Sequence, residues 1–312
     1  MTTALYSHPD CRLHEMGAAH PECPARLQAI DDQLIASRIG DLLAYRDAPL
    51  ASDEMILRVH DPCALDLVRN NLPGPGDYYP VDADTLLNPF SLQAALRAAG
   101  LAVAATDAVI GGEVRNAFCA IRPPGHHARI ATPMGFCLFN NVAIAARHAM
   151  CVHGLKRVAI VDFDVHHGNG TEEAFENDPA VLMVSFFQHP FYPYSGVHSA
   201  ANRHANMLNQ PVPAYTGGDV IRKLVVDTWL PALEIHRPEM IFISAGFDAH
   251  REDDLGQMGL VEADYAWITG KIMQIADRHA QGRVVSCLEG GYNLSALGRS
   301  VVAHVKILAG LD

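Results

Sequence analysis

Two stretches of this chain, Arg157-Val-Ala-Ile-Val161 and Met240-Ile-Phe-Ile-Ser244, are apolar almost without a break and lead within a few residues to carboxylates, Asp162 and Asp248. A strand with one wet face alternates apolar and polar residues, whereas an unbroken run of this length suits a strand covered on both faces of a parallel sheet. Asn116 to Ile121, Val181 to Phe186 and Arg283 to Leu288 read the same way. Between them, Leu92 to Ile110, Asn141 to His153, Val220 to His236 and Glu262 to His279 carry apolar residues at helical spacing. Strand alternating with helix predicts an α/β fold. The 312 residues are 49% hydrophobic and 19% charged, enough for a full core, and no linker or charge block divides them, so one domain over residues 1–312 is expected.

The loops that follow these strands collect Gly, His and Asp: Arg122-Pro-Pro-Gly-His-His127, Asp162-Phe-Asp-Val-His-His-Gly-Asn-Gly170, Gly246-Phe-Asp-Ala-His250 and Glu289-Gly-Gly-Tyr-Asn293. Ligands of open parallel sheets bind beyond the carboxyl ends of the strands, so four segments point to one site. If alternation continues past Val161, Asp162, Asp164 and His166 share a side. Buried carboxylates are costly unless paired or metal-bound, and Asp-x-Asp-x-His suits a divalent metal with a position left for water. Thr171 and Gly170 look like helix-entry residues instead. Asp248, on its own, suits a helix cap or an ion pair as well as a metal. Such ligands disfavour copper and leave Fe(II), Co(II) and Mn(II) open.

His126 and His127 sit on a loop stiffened by two prolines, a placement for general acid-base work, with Asp162 and Asn169 as candidate acceptors for their outer nitrogens. Gly290-Gly291 could swing the Tyr292 hydroxyl toward a developing oxyanion, although Gly-Gly-Tyr is also a common turn. Cys137, among Phe136, Leu138 and Phe139, reads as a buried thiol rather than a nucleophile.

Other classes are disfavoured by residue type. The net charge is -12 with no Lys/Arg cluster, so nucleic acid is not an expected partner. No stretch reaches the length of an uninterrupted membrane span, and the N-terminus lacks signal-peptide regions, so no membrane association is expected. Seven scattered cysteines without a C-x-x-C pair suggest a reducing, cytoplasmic setting. No Gly-x-Ser-x-Gly elbow, dinucleotide fingerprint or P-loop follows a strand.

In combination, His20-Pro-Glu-Cys-Pro-Ala-Arg26, Arg122-Pro-Pro-Gly-His-His-Ala128, Gly135-Phe-Cys-Leu-Phe-Asn-Asn141, Asp162 to Thr171, Ser244-Ala-Gly-Phe-Asp248 and Leu288-Glu-Gly-Gly-Tyr-Asn-Leu294 resemble the zinc-dependent histone deacetylase family, in its class II and bacterial amidohydrolase-like branch. The resemblance covers nearly the whole chain. It implies the arginase/deacetylase fold, an eight-stranded parallel sheet with helices on both faces, and one catalytic zinc held by Asp164, His166 and Asp248. His126 and His127 would flank the water, paired with Asp162 and Asn169, and Tyr292 would polarise the carbonyl. Gly135, Phe136, Tyr192 and Gly291 would contact substrate. Structural potassium would bind at Asp162, Asp164, His166, Ser185 and Phe186, and again at Phe175, Asp178 and Val181. Phe186-Phe187 departs from the Leu-His common after Ser185, and Asp254 stands where Pro is frequent.

The expected reaction is removal of acetyl or another short acyl group from acyl-lysine by metal-activated water. An acetylpolyamine amidohydrolase is the enzyme alternative, congenial to the acidic charge. A binuclear manganese hydrolase would need further bridging carboxylates, and a silent acyl-lysine binding module would have no need of both histidines, three ligands and Tyr292. Residues 69–88 and 187–209 are expected to line the entrance. A bacterial source is expected from the compact chain, and self-association as a homo-oligomer is left open.

Overall fold

Eight strands form one sheet in the order β2-β1-β5-β10-β9-β6-β7-β8, with every neighbouring pair parallel. These are β1 Thr3–Tyr6, β2 Ala44–Arg46, β5 Asn116–Cys119, β6 Val158–Asp162, β7 Val181–Gln188, β8 Met207–Val212, β9 Met240–Ala245 and β10 Val284–Leu288. A two-stranded antiparallel ribbon, β3 Tyr79–Pro80 with β4 Leu86–Leu87, lies apart from it. The computed structural model describes residues 2–197 and 204–311.

All residues of β5, β6, β9 and β10 are buried although side chains alternate between faces, so both faces of the central sheet are covered. Ser91–Ile110 packs on Asn141–Cys151 in one helical layer, and Ala25–Ala36, Leu294–Leu308 and Glu262–His279 form another. Ser91–Ile110 is long and apolar enough to cross a membrane by composition, with mean hydropathy 1.2, but two-thirds of it is buried inside the fold as a core helix. The segment 220–236 is helical from Gly218, with a widened π turn over Val225–Trp229. Pro231 stands two residues beyond it; its missing N–H and bulky ring disfavour an ordinary turn there, and a wider one accommodates them.

The strand order positions the site. β5, β10, β9 and β6 are consecutive neighbours at the centre of the sheet, and the four Gly/His/Asp loops leave their carboxyl ends. Register aligns the exits: Asp162 pairs with Ser244 on one side and Ser185 on the other, while Leu288 pairs with Ala245.

Candidate active site

Asp164 and His166 leave the end of β6, and Asp248 comes from the loop after β9. Their ligand-capable atoms all lie within 4.8 Å of one another. His166 Nδ1 is 3.0 Å from Asp164 Oδ1 and 3.2 Å from Asp248 Oδ2. Gly290 N–H donates to Asp164 Oδ2 at 2.8 Å and Val165 N–H to Asp248 Oδ1 at 2.9 Å, which orients both carboxylates. Asp248 Oδ2 is buried and accepts no well-formed hydrogen bond. Burial and the neighbouring Asp164 push the Asp248 carboxyl up to about 7, while burial opposes but the two carboxylates still raise His166 to about 10. Two buried carboxylates with one imidazole between them leave a deficit of positive charge, which a divalent cation would fill. Donor set, convergence and the orphaned oxygen therefore fit a metal centre.

The prolines and Gly125 turn the β5 exit back so that both histidines face this cluster. Glu289 holds the turn: its Oε2 accepts from Gly125 N–H at 2.6 Å and from His126 N–H at 3.1 Å, and its Oε1 accepts from Ser244 Oγ. His126 Nδ1 lies 3.0 Å from Asp162 Oδ2, and His127 Nδ1 lies 2.7 Å from Asn169 Oδ1. The two environments pull the rings apart in basicity. Burial alone would depress His126, but Asp164 and Asp162 raise it well above the usual histidine range. Burial, His126 and His166 push His127 well below it. A ring kept neutral with its Nδ1–H bonded to an amide oxygen presents Nε2 as a proton acceptor.

His127, His166 and Tyr292 meet at a cavity of about 270 Å³ that is also lined by Gly135, Phe136, Phe191, Tyr192, Leu255, Asp84 and Asp254. Phe136 and Tyr292 meet edge to face at 5.8 Å, His127 and Tyr192 likewise at 5.3 Å, and Phe191 stacks on His166 at 5.4 Å. Gly135 has φ +57, and a Cβ there would come within 2.6 Å of the His127 ring. Burial and Asp248 hold the Tyr292 phenol well above its usual pKa, so it stays a donor. Of the two entrance segments, 69–88 contributes Asp84 and 187–209 contributes Phe191 and Tyr192; residues 198–203 lie outside the described residues.

Two further carboxylates, Asp253 and Glu22, join Glu289 in bracing these loops. Asp253 Oδ2 accepts from Tyr292 N–H at 2.6 Å and Asn293 N–H at 2.9 Å, and its Oδ1 accepts from Leu255 N–H at 3.0 Å. Glu22, fully buried, binds Arg122 and Arg26, whose charges hold its carboxyl at about 2 against the penalty of burial. Arg26 in turn lies 4.9 Å over the Tyr292 ring. A carboxylate that meets its donors across loops is a tertiary arrangement without a local spacing: Glu289 and Glu22 at least stand inside sequence motifs, whereas Asp253 stands in none.

Not every candidate converges. Gly291 does not line the cavity; its carbonyl accepts from Arg26 Nε at 2.7 Å. Ser185 and Phe186 lie on β7 beside the β6 exit, where Ser185 Oγ donates to Asn209 Oδ1 at 3.1 Å. Phe175, Asp178 and Val181 gather away from the cavity, around the side chain of Asn206. Cys137 is fully buried and its thiol is pushed well up by burial, as an inert core thiol should be. A second group, Asp107 with His148 and His153, also has ligand-type atoms close together. There Arg58 Nη1 lies 2.8 Å from His148 Nδ1, so Nε2 must carry the proton that bonds Asp107. That cluster is a hydrogen-bonded surface group.

The family model described as the histone deacetylase domain matches residues 20–308. The histone deacetylase-like amidohydrolase of Pseudomonas aeruginosa is 38% identical over 94% of this chain and 78% of its own length. Histone deacetylase 14, chloroplastic, of Arabidopsis thaliana is 37% identical, with 94% and 74% covered. The solved HDA15 HD domain has the same fold at a TM-score of 0.91 and 35% identity, covering 99% of this chain and 90% of that one. A match that opens at His20, just before the carboxylate that anchors Arg122, and closes with the last helix takes in every residue lining the cavity, and the chain belongs to the histone deacetylase family of deacetylases and amide hydrolases.

Proposed function

We propose that the chain is a zinc-dependent deacetylase that removes acetyl or another short acyl group from acyl-lysine side chains. The observation that carries this is the opposition, at one end of the cavity, of His127, backed by Asn169 Oδ1 at 2.7 Å, to the Asp164-His166-Asp248 cluster, with the His127 and His166 rings 5.8 Å apart. Bound zinc would supply Lewis acidity and a lowered water pKa. Phe136 and Tyr192 would hold the alkyl chain between apolar walls. His127 takes the proton from the attacking water at Nε2, His126 with Asp162 supplies positive charge beside it, and the proton passes on to the leaving amine. Tyr292 donates to the carbonyl oxygen as it gains charge. The oxygen donors at Asp162, Asp164, His166, Ser185 and Phe186 suit a potassium ion bracing the β6 and β7 exits. The seven free cysteines accord with a reducing, cytoplasmic setting.

A second reading rests on Asp84 and Asp254. Both line the solvent-facing part of the cavity, and among the described residues no Lys or Arg joins them there. A distal ammonium would be welcome at that position, as in an acetylated diamine or polyamine. Matched kinetics on an acetyl-lysine peptide, N-acetylputrescine and N-acetylspermidine, with and without chelator, tests both. Chelator-sensitive turnover favouring the peptide is expected. Preference for the polyamines moves the assignment to the second reading, and chelator-insensitive turnover or none refutes the zinc enzyme.

A further inference from the structure

We infer that the Asn206 side-chain amide takes the place of the second potassium ion, so that the Phe175–Val181 turn is held without a cation. The resemblance implies a cation among Phe175, Asp178 and Val181. In this structure the carbonyl oxygens of all three converge on one atom, Asn206 Nδ2, at 2.8, 3.0 and 3.0 Å. Three acceptors around one point make a cup for positive charge, and the amide N–H₂ is the donor end that such a cup selects. Its oxygen end would face three carbonyl oxygens, and that repulsion fixes which way the amide points.

The backbone locks the donor in place. Asn206 C=O accepts from Met183 N–H at 2.9 Å on β7, so its backbone is tied to the strand that follows the turn while its side chain reaches the turn itself. Phe175 and Asp178 carbonyls already accept from Asp178 N–H at 2.9 Å and Val181 N–H at 3.0 Å, and the amide takes up their remaining capacity. A permanent charge stands alongside. Arg147 pairs with the Asp178 carboxylate, donates to Ala174 C=O at 3.0 Å, and lies 4.5 Å over the Phe175 ring. With the Asp178 carboxylate paired to a guanidinium, that of Glu176 facing His204 at 3.6 Å, and all three carbonyls turned onto the one amide nitrogen, the point where a monovalent ion would sit is already taken by a donor.

Crystals of the full chain grown with rubidium chloride and mapped by rubidium anomalous scattering test this independently of activity. The wild-type cup is expected to be free of rubidium, whereas Asn206→Asp and Asn206→Ala, which remove the donor, should each take up an ion among the same three carbonyls. Asn206→Asp is nearly isosteric and keeps the test alive if the alanine variant does not fold. In solution, replacing choline chloride by rubidium chloride at equal ionic strength should raise the melting temperature of Asn206→Asp more than that of wild type. Rubidium in the wild-type cup, or in neither variant's, overturns the inference.

Discussion

Tyr292 is the residue whose loss separates chemistry from folding most cleanly. It lines the cavity, and its backbone is held by Asp253 rather than by its own hydroxyl, so Tyr292→Phe should leave the loop in place. Steady-state kinetics should show kcat down by about 10² to 10³ with KM little changed, the signature of a donor used only in the transition state. A buried histidine remote from the Asp164-His166-Asp248 cluster gives a second expectation. His304 Nδ1 is 2.7 Å from Thr269 Oγ1, whose own proton goes to Tyr265 C=O, so Nδ1 donates and Nε2 accepts from Ser286 Oγ at 2.9 Å. Burial lowers its pKa from 6.5 to about 3. The unfolded chain binds a proton there from pH 6.5 downward and the native chain only near pH 3, so stability is fully present above 6.5 and drains as pH falls between the two values. The slope from this site alone is roughly 1.4 kcal/mol per pH unit. Urea unfolding at pH 7, 6 and 5 should show a shallower decline in His304→Gln than in wild type. Such a residue was not legible beforehand, because a histidine in an apolar helix gives no sign of its partners, whereas the motif histidines stood next to loops rich in Gly, Pro and Asp.

At the scale of elements, legibility followed burial. β5, β6, β7, β9 and β10 were readable because a strand covered on both faces must be apolar throughout, and each lies inside the sheet. β2 and β8 are the edges: the first is three half-exposed to exposed residues, and the second carries Asn209, Gln210 and Pro211, which no apolar-run criterion selects. β1, although paired on both sides, is only four residues long and gave too short a pattern. The exits of the strands are where small residues are compulsory. A Cβ on Gly290 would lie 1.9 Å from Asp248 Oδ2 and 2.6 Å from Asp164 Oδ2, so no side chain fits without displacing both carboxylates. Gly290→Ala should therefore bind well under the wild type's complement of the proposed metal by elemental analysis and show little deacetylase activity. Its circular dichroism should stay that of the wild type, since the overpacking is confined to a strand exit and costs about 1 to 3 kcal/mol.

The whole molecule adds a field to this geometry. The chain carries a net charge of -12, and Asp84 and Asp254 set two of those charges on the cavity wall, with the Tyr192 phenol pushed well above its usual pKa by burial and by Asp84 and Asp82 among its neighbours. Negative charge inside and around a narrow opening raises the local concentration of cations and lowers that of anions, over a range set by the Debye length, about 10 Å at 0.1 M salt and about 3 Å at 1 M. Salt should thus move kcat/KM in opposite directions for substrates of opposite charge. For an acetyl-lysine peptide flanked by arginines, or for an acetylated polyamine, kcat/KM should fall several-fold between about 20 mM and 500 mM sodium chloride. For the same acetyl-lysine flanked by glutamates it should rise, and for a neutral flank it should stay nearly level. Asp84→Asn with Asp254→Asn should reduce the spread between the three peptides at low salt while leaving the neutral peptide's kcat close to wild type, because neither carboxylate touches the metal cluster or the histidine pair. If the three salt profiles coincide in the wild-type enzyme, the acidic wall does not select substrate charge, and the choice between lysine and polyamine rests on the shape of the cavity alone.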